Sequence, residues 1–177
     1  MISMVIGIDP GKSGGIAVVT STSFDADPMP VSSDGLVDCR QLAQWISDKR
    51  SVWGSGKDVS VWIEDVHAMP GQGVCSMFSF GRGLGAVEGV CGALGLAIHR
   101  VRPQEWVKEA QRVLGEHGVD PGASGKVKGK GAVWAKRIWP DVRLQATPRS
   151  KKDHDGMADA LMIAWYGMRF LESKRKS

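Results

Sequence analysis

Cysteine is scarce in this sequence: Cys39, Cys75 and Cys91 are the only three among 177 residues. An odd count at wide spacing supports neither a disulfide framework nor a zinc site, so small buried apolar residues are the expected role. Long apolar runs are missing too, and no segment is expected to cross a bilayer. The N-terminus, MISMVIGIDPG, has no basic stretch followed by an apolar one and a cleavage site, so a cytoplasmic location is expected. No repeat and no internal linker is visible. Acid is nearly absent from residues 126–152, where nine Lys and Arg stand against the single Asp141.

What is present fits a soluble globular chain, with 42% hydrophobic and 24% charged residues. The length suits one buried core. The reading is a single domain over residues 1–172 with a basic, frayed tail at 173–177. The net charge of +4 hides an asymmetry. Residues 1–99 carry 6 basic and 10 acidic side chains, whereas residues 100–177 carry 17 and 9. One-sided clustering of this size favours a polyanionic partner over an ordinary solvated face.

Residues 4–8 form a short apolar run ending in Asp9-Pro10-Gly11, which predicts a buried strand leading into a turn. The β-rich run at 16–20 predicts the second arm of a hairpin. Residues 21–35, rich in Ser, Asp and Pro, predict a loop or a short irregular strand. An amphipathic helix is predicted over 39–50, a loop to 58, a strand over 59–64 that ends on acids, and a loop over 67–73. Residues 76–96 contain glycine at 81, 83, 85, 89, 92 and 95. A helix is predicted there despite a cost of about 1 kcal/mol per glycine, with close helix–helix approach as the compensating reason. A strand follows at 97–101, then a helix opening on Pro103. Residues 115–131 predict an exposed Gly- and Lys-rich loop, and 131–138 a helix stopping before Pro140. The last helix is predicted from Asp153 to about Glu172, with an apolar stripe through Ala158, Leu161, Met162, Trp165 and Met168.

Acids at element ends carry the chemistry. Asp9 and Glu64 end strands, and strand-end acids in a parallel region can point to one edge of a sheet. Asp155 and Asp159 are four apart in the first turns of the last helix and share one face. Each has a plainer reading: a turn acid, a solvated strand end, a helix cap. Asp159 resists it, because ADALMIA looks buried and a buried carboxylate needs a partner. Such a cluster repels itself unless cations occupy it, and hard divalent ions with oxygen ligands suit it.

Five segments taken together resemble the RuvC-type Holliday-junction resolvases, especially the diverged versions of phages and prophages. They are IGIDPGKSGGIAVV (6–19), VWIEDVHAMPGQG (61–73), FSFGRGLGAVEG (78–89), RPQEWVK (102–108) and HDGMADALMIAWYG (154–167), in the family's order and spacing. The resemblance implies an α/β, RNase H-like fold with a mixed central sheet flanked by helices. It also implies a homodimer that makes two symmetric nicks in four-way or branched DNA, using Mg²⁺ or Mn²⁺, two ions per active site. It matches the family's catalytic, metal-binding acids to Asp9, Glu64 and Asp159. Where the family carries its other acid or histidine, this chain has Gly156. Asp155 takes that role on the helix-face argument, with Asp153 and His154 as weaker candidates.

DNA contacts are expected from Lys12, from Arg149, Lys151 and Lys152, and from Lys126, Lys128 and Lys130, whose ammonium groups would follow phosphates without reading bases. For Phe78 and Phe80, with Arg82 beside them, the resemblance implies aromatics that wedge into an opened junction, while a core or dimer-core role fits the aromatics at least as well. Most tryptophans are expected in the core. Two other readings remain. A catalytically silent module could recognise branched DNA by shape and charge. Asp9-x-Gly11-x-x-x-Gly15 also resembles the phosphate hairpin of actin- and sugar-kinase-type ATPases, but their duplicated domain has little room in 177 residues.

Overall fold

A computed structural model describes residues 4–54, 58–65, 73–114 and 130–175. The apolar run at the N-terminus forms β1 (Met4–Asp9), which turns back as β2 (Gly15–Val19) and β3 (Phe24–Pro28). These three pair antiparallel. Then β4 (Val59–Glu64) and β5 (Ala97–Val101) add parallel to β1, giving one mixed sheet in the order β3-β2-β1-β4-β5. Five helices complete the described chain: α1 (Cys39–Trp53), α2 (Val74–Ala93), α3 (Pro103–Leu114), α4 (Lys130–Ile138) and α5 (Asp155–Arg175). Among the described residues no helix is long and apolar enough to cross a membrane.

Strand alternation sorts the core into two layers. Ile6, Ile8, Val61 and Ile63 point to one face and pack with Leu42 and Ile46 of α1 and Val87 and Cys91 of α2. Val5 and Trp62 point to the other, where α5 lies across β1 and β2 with α3 and α4 behind it. Gly7 of β1 marks that crossing: a Cβ there would overlap the Ala160 carbonyl of α5 and lie 2.5 Å from the Ala164 nitrogen. A Cβ on Gly167 would lie 2.7 Å from the Trp62 ring. Helix and sheet meet backbone to backbone.

Several expectations change. Residues 24–28 are a regular strand, because its backbone completes the ladder on β2. Helix α1 runs three residues beyond its expected end, and α2 starts two residues earlier and stops where Gly95 takes φ 66°. Helix α5 starts at Asp155 rather than Asp153 and stays helical through Arg175, so the expected frayed tail is helical over 173–175. Its apolar surface is no stripe: from Gly156 to Met168 all residues but Asp159 and Tyr166 are buried, since the sheet covers one side and α3 and α4 the other. Of the cysteines only Cys91 is buried, while Cys39 and Cys75 are exposed.

Candidate active site

The parallel pairing of β1 and β4 sets the first two acids. Ile8 pairs with Ile63, so Asp9 and Glu64 occupy the next position on adjacent strands. By alternation both lie on the face of Val5 and Trp62, the face covered by α5. The β1–β2 turn is tight, with Gly14 N–H donating to the Gly11 carbonyl at 2.8 Å. A Cβ on Gly14 would overlap the Asp9 carbonyl, so only glycine closes this turn.

The start of α5 docks on that same turn. Gly14 and Gly156 form a parallel bridge, and a Cβ on Gly156 would lie 2.5 Å from Gly14 Cα and from the Ser13 carbonyl. This explains the glycine where a fourth acid was sought: the first turn of α5 approaches the hairpin too closely for any side chain. Asp155 lies one residue earlier and is exposed.

The neighbours of Asp155 have other work. Asp153 accepts from Lys136 Nζ at 2.6 Å and from Gln145 Nε2 at 3.0 Å, tying α4 to the segment before α5. His154 caps α5, its Nδ1 accepting from the Met157 N–H at 3.2 Å. Asp155 makes no such structural bond among those described, and its charge is felt at Asp159.

Burial and mutual repulsion perturb the three inner acids. Asp9 is pushed up to about 6 by burial, opposed by a hydrogen bond from the Gly11 N–H at 3.4 Å. Glu64 rises to about 7 through burial and then the charge of Asp9, opposed by a hydrogen bond from Trp106 Nε1 at 3.1 Å. Asp159 rises to about 8 through burial, then the charges of Asp9, Glu64 and Asp155. Gly131 of α4 presses on it so closely that a Cβ there would overlap Asp159 Oδ1. Asp9, Glu64 and Asp159 thus share one half-buried, electrostatically coupled site, which Asp155 borders.

A groove of about 760 Å³ adjoins the β1–β2 turn; none of the three acids lines it, and Asp34 shares its wall with the basic residues. The β1–β2 turn supplies Lys12 to its wall, and α2 supplies Phe80 and Arg82. Phe78 is 66% exposed, outside the core, with the Arg82 guanidinium 5.9 Å from its ring centre. Arg149, Lys151 and Lys152 are exposed on the segment leading into α5. Lys126 and Lys128 lie outside the described residues. Lys130 opens α4, and its side chain is likewise not described.

Among the described residues, no three acids, histidines or cysteines are already gathered closely enough to hold a metal ion. The donor chemistry nonetheless fits one: oxygen ligands, dehydrated and mutually repelling, whose separation a cation would relieve.

Sequence reasoning missed Trp106 and Gly131. The RPQEWVK segment stood out, but nothing local ties its indole to Glu64. Gly131 has no signal beyond its place at the start of a helix.

No protein-family model matches the sequence, and no curated protein matches it. Solved structures do. Thermus thermophilus RuvC in complex with a Holliday junction substrate aligns with a TM-score of 0.56 at 15% identity, over 97% of this chain and 96% of that one. A second Thermus thermophilus RuvC structure aligns at 0.51 and 18% identity, over 97% and 96%. The yeast mitochondrial Holliday junction resolvase Ydc2 aligns at 0.53 and 13% identity, over 98% and 81%. The chain has the RNase H-like α/β fold of the RuvC-type junction resolvases.

Proposed function

We propose that this protein is a structure-selective DNA endonuclease of the RuvC type that resolves four-way or branched junctions by metal-dependent phosphodiester hydrolysis. The observation that carries the reading is the coupled acid site of Asp9, Glu64 and Asp159, with Arg149, Lys151 and Lys152 exposed on the segment that leads into the helix bearing Asp159. The shared fold supports it: one structure with that fold is a RuvC bound to a Holliday junction.

Asp9, Glu64, Asp155 and Asp159 would hold Mg²⁺ or Mn²⁺, two per site. When bound, the metal supplies Lewis acidity for hydrolysis and offsets the repulsion between enzyme acids and DNA phosphate. The protein's own part is placement. The strand ends fix Asp9 and Glu64 on a rigid sheet, the glycine contacts fix α5, and burial keeps bulk water from screening the acids. Lys12, Arg82, Arg149, Lys151 and Lys152, with Lys126, Lys128 and Lys130, would contact phosphates, while Phe78 and Phe80 offer ring faces to unstacked bases. The products would carry 5′-phosphate and 3′-hydroxyl ends.

The working unit is proposed to be a homodimer. Gly81, Gly85, Gly89 and Gly92 of α2 face open space, where a Cβ meets nothing within 4 Å. Among the described residues nothing makes the close approach that would offset their helix cost, and a second copy would supply it by symmetry. Two matched sites suit two matched strands of a junction.

A junction-cleavage assay in Mg²⁺ tests the reading. Asp9→Asn is expected to lose at least about 10²-fold in rate while still binding the junction. Equal nicking by both proteins removes Asp9 from the mechanism. Tight binding with no nicking by wild type in any divalent metal favours the silent binding module.

A further inference from the structure

The mechanism above leaves one buried polar contact unused. Trp106 is 1% exposed, and its indole N–H donates to Glu64 Oε1 at 3.1 Å. A buried indole N–H needs an acceptor, and carbonyls or hydroxyls commonly serve. Here the acceptor is a carboxylate of the acid site, on a different element.

Three features aim the indole there. β5 pairs Val101 with Glu64, and α3 opens at Pro103, two residues later, so the helix starts directly beside the strand end that carries the acid. The turn into α3 is closed on both sides: Glu105 N–H donates to the Arg102 carbonyl at 2.9 Å, and Glu105 Oε2 accepts from the Arg102 N–H at 2.8 Å. Trp106 is the next residue. Its ring is then braced edge-on by Trp134 of α4, at a centroid distance of 6.3 Å and an angle of 89°. That same α4 presses Gly131 against Asp159.

We infer that Trp106 is a positioning residue for Glu64, its indole N–H orienting the carboxylate for metal, and that α3 and α4 together form the rigid back wall of the acid site. This rests on the proposed nuclease reading for its consequence in catalysis, though not for the contact itself. Partners that hydrogen-bond a metal ligand without touching the metal set the ligand's orientation, and losing one typically weakens metal affinity or activity by roughly 10–100-fold.

The test compares Trp106→Phe, which keeps a ring and removes the N–H, with Trp134→Phe, which perturbs the same packing without touching Glu64. Three quantities are read: Mn²⁺ affinity of the DNA-free protein from the free-ion paramagnetic resonance signal, single-turnover cleavage on saturating junction, and junction affinity without metal. Trp106→Phe is expected to lose roughly tenfold or more in Mn²⁺ affinity and in rate. Its junction affinity stays near wild type, and excess Mn²⁺ restores part of the rate. Trp134→Phe is expected to keep Mn²⁺ affinity close to wild type. Equal losses in both variants, or none in Trp106→Phe, overturn the inference. An independent reading comes from the indole N–H resonance of Trp106, followed in Glu64→Gln. A selective displacement of that signal supports the contact even where Trp106→Phe fails to fold, and an unmoved signal overturns it. If the wild type binds Mn²⁺ but nicks nothing, the nuclease reading falls while the affinity and resonance results still decide the role of Trp106.

Discussion

Two glycine-bearing helices sit on opposite faces of the sheet and use glycine in opposite ways. On α5, Gly156 and Gly167 face inward, where a Cβ would meet the Gly14 backbone or the Trp62 ring. On α2, Gly81, Gly85, Gly89 and Gly92 face outward into open space. The first set permits a helix to be drawn onto the sheet until acids from two strands and one helix share a site. The second set meets nothing among the described residues and lowers helix stability by about 1 kcal/mol per residue. Identical residues therefore mark the acid-bearing face on one side and an open helix face on the other.

The largest break in this contrast is expected from Gly156→Ala. The added methyl meets backbone on two sides and cannot be relieved by a side-chain rotation. A loss of at least about 3 kcal/mol is expected, measured by denaturant unfolding. A loss below about 1 kcal/mol would show that α5 shifts freely on the hairpin.

The charges on the α5 face make a second contrast. Asp9, Glu64 and Asp159 titrate near 6, 7 and 8 when folded but near the ordinary carboxylate range when unfolded. Between those ranges the folded state holds more protons, so stability falls as pH rises. Their favourable contribution is complete below about pH 4 and lost as pH climbs through the folded values. In EDTA, Tm is expected to drop between pH 5 and 8.5. Asp159→Asn should flatten that drop and raise stability at pH 8.5 by on the order of 2 kcal/mol, roughly 5 °C for a chain of this size. An unchanged slope in Asp159→Asn would separate that acid from the cluster.

Gly85→Ala gives the smallest effect and has the opposite sign on α2. The methyl enters open space, so the isolated chain should gain roughly 0.5–1 kcal/mol from helix propensity. Self-association should weaken at the same time, seen by sedimentation as a larger monomer fraction. A variant that gains stability and associates as tightly as wild type would leave the stripe without a partner.

The legible parts were those encoded within a few residues. Strand runs, proline stops and the 3.6-residue pattern placed nine of the ten elements, and the acids at their ends followed. β3 stayed open between a loop and a short irregular strand, because its surroundings are Ser-, Asp- and Pro-rich and pairing with β2 is what decides it. Cys39 and Cys75 were misplaced for a related reason: small thiols are buried by habit, not by pattern. The partners of Asp153 and His154 were equally hidden: Lys136 comes from α4, Gln145 from the segment before α5, and the Met157 amide from the first turn of α5.

By itself the sequence determined that Asp9 and Glu64 end strands, that Asp159 lies in an apolar helix, and that positive charge collects in the second half. Those features follow from local periodicity and composition. Only the tertiary structure decided which glycines face a neighbour, that Gly156 excludes a fourth acid at its own position, and that Trp106 reaches Glu64 across 42 residues of chain. The physical reason is that these contacts arise from strand order and helix docking, in which burial of apolar faces brings polar groups together that share no local signal.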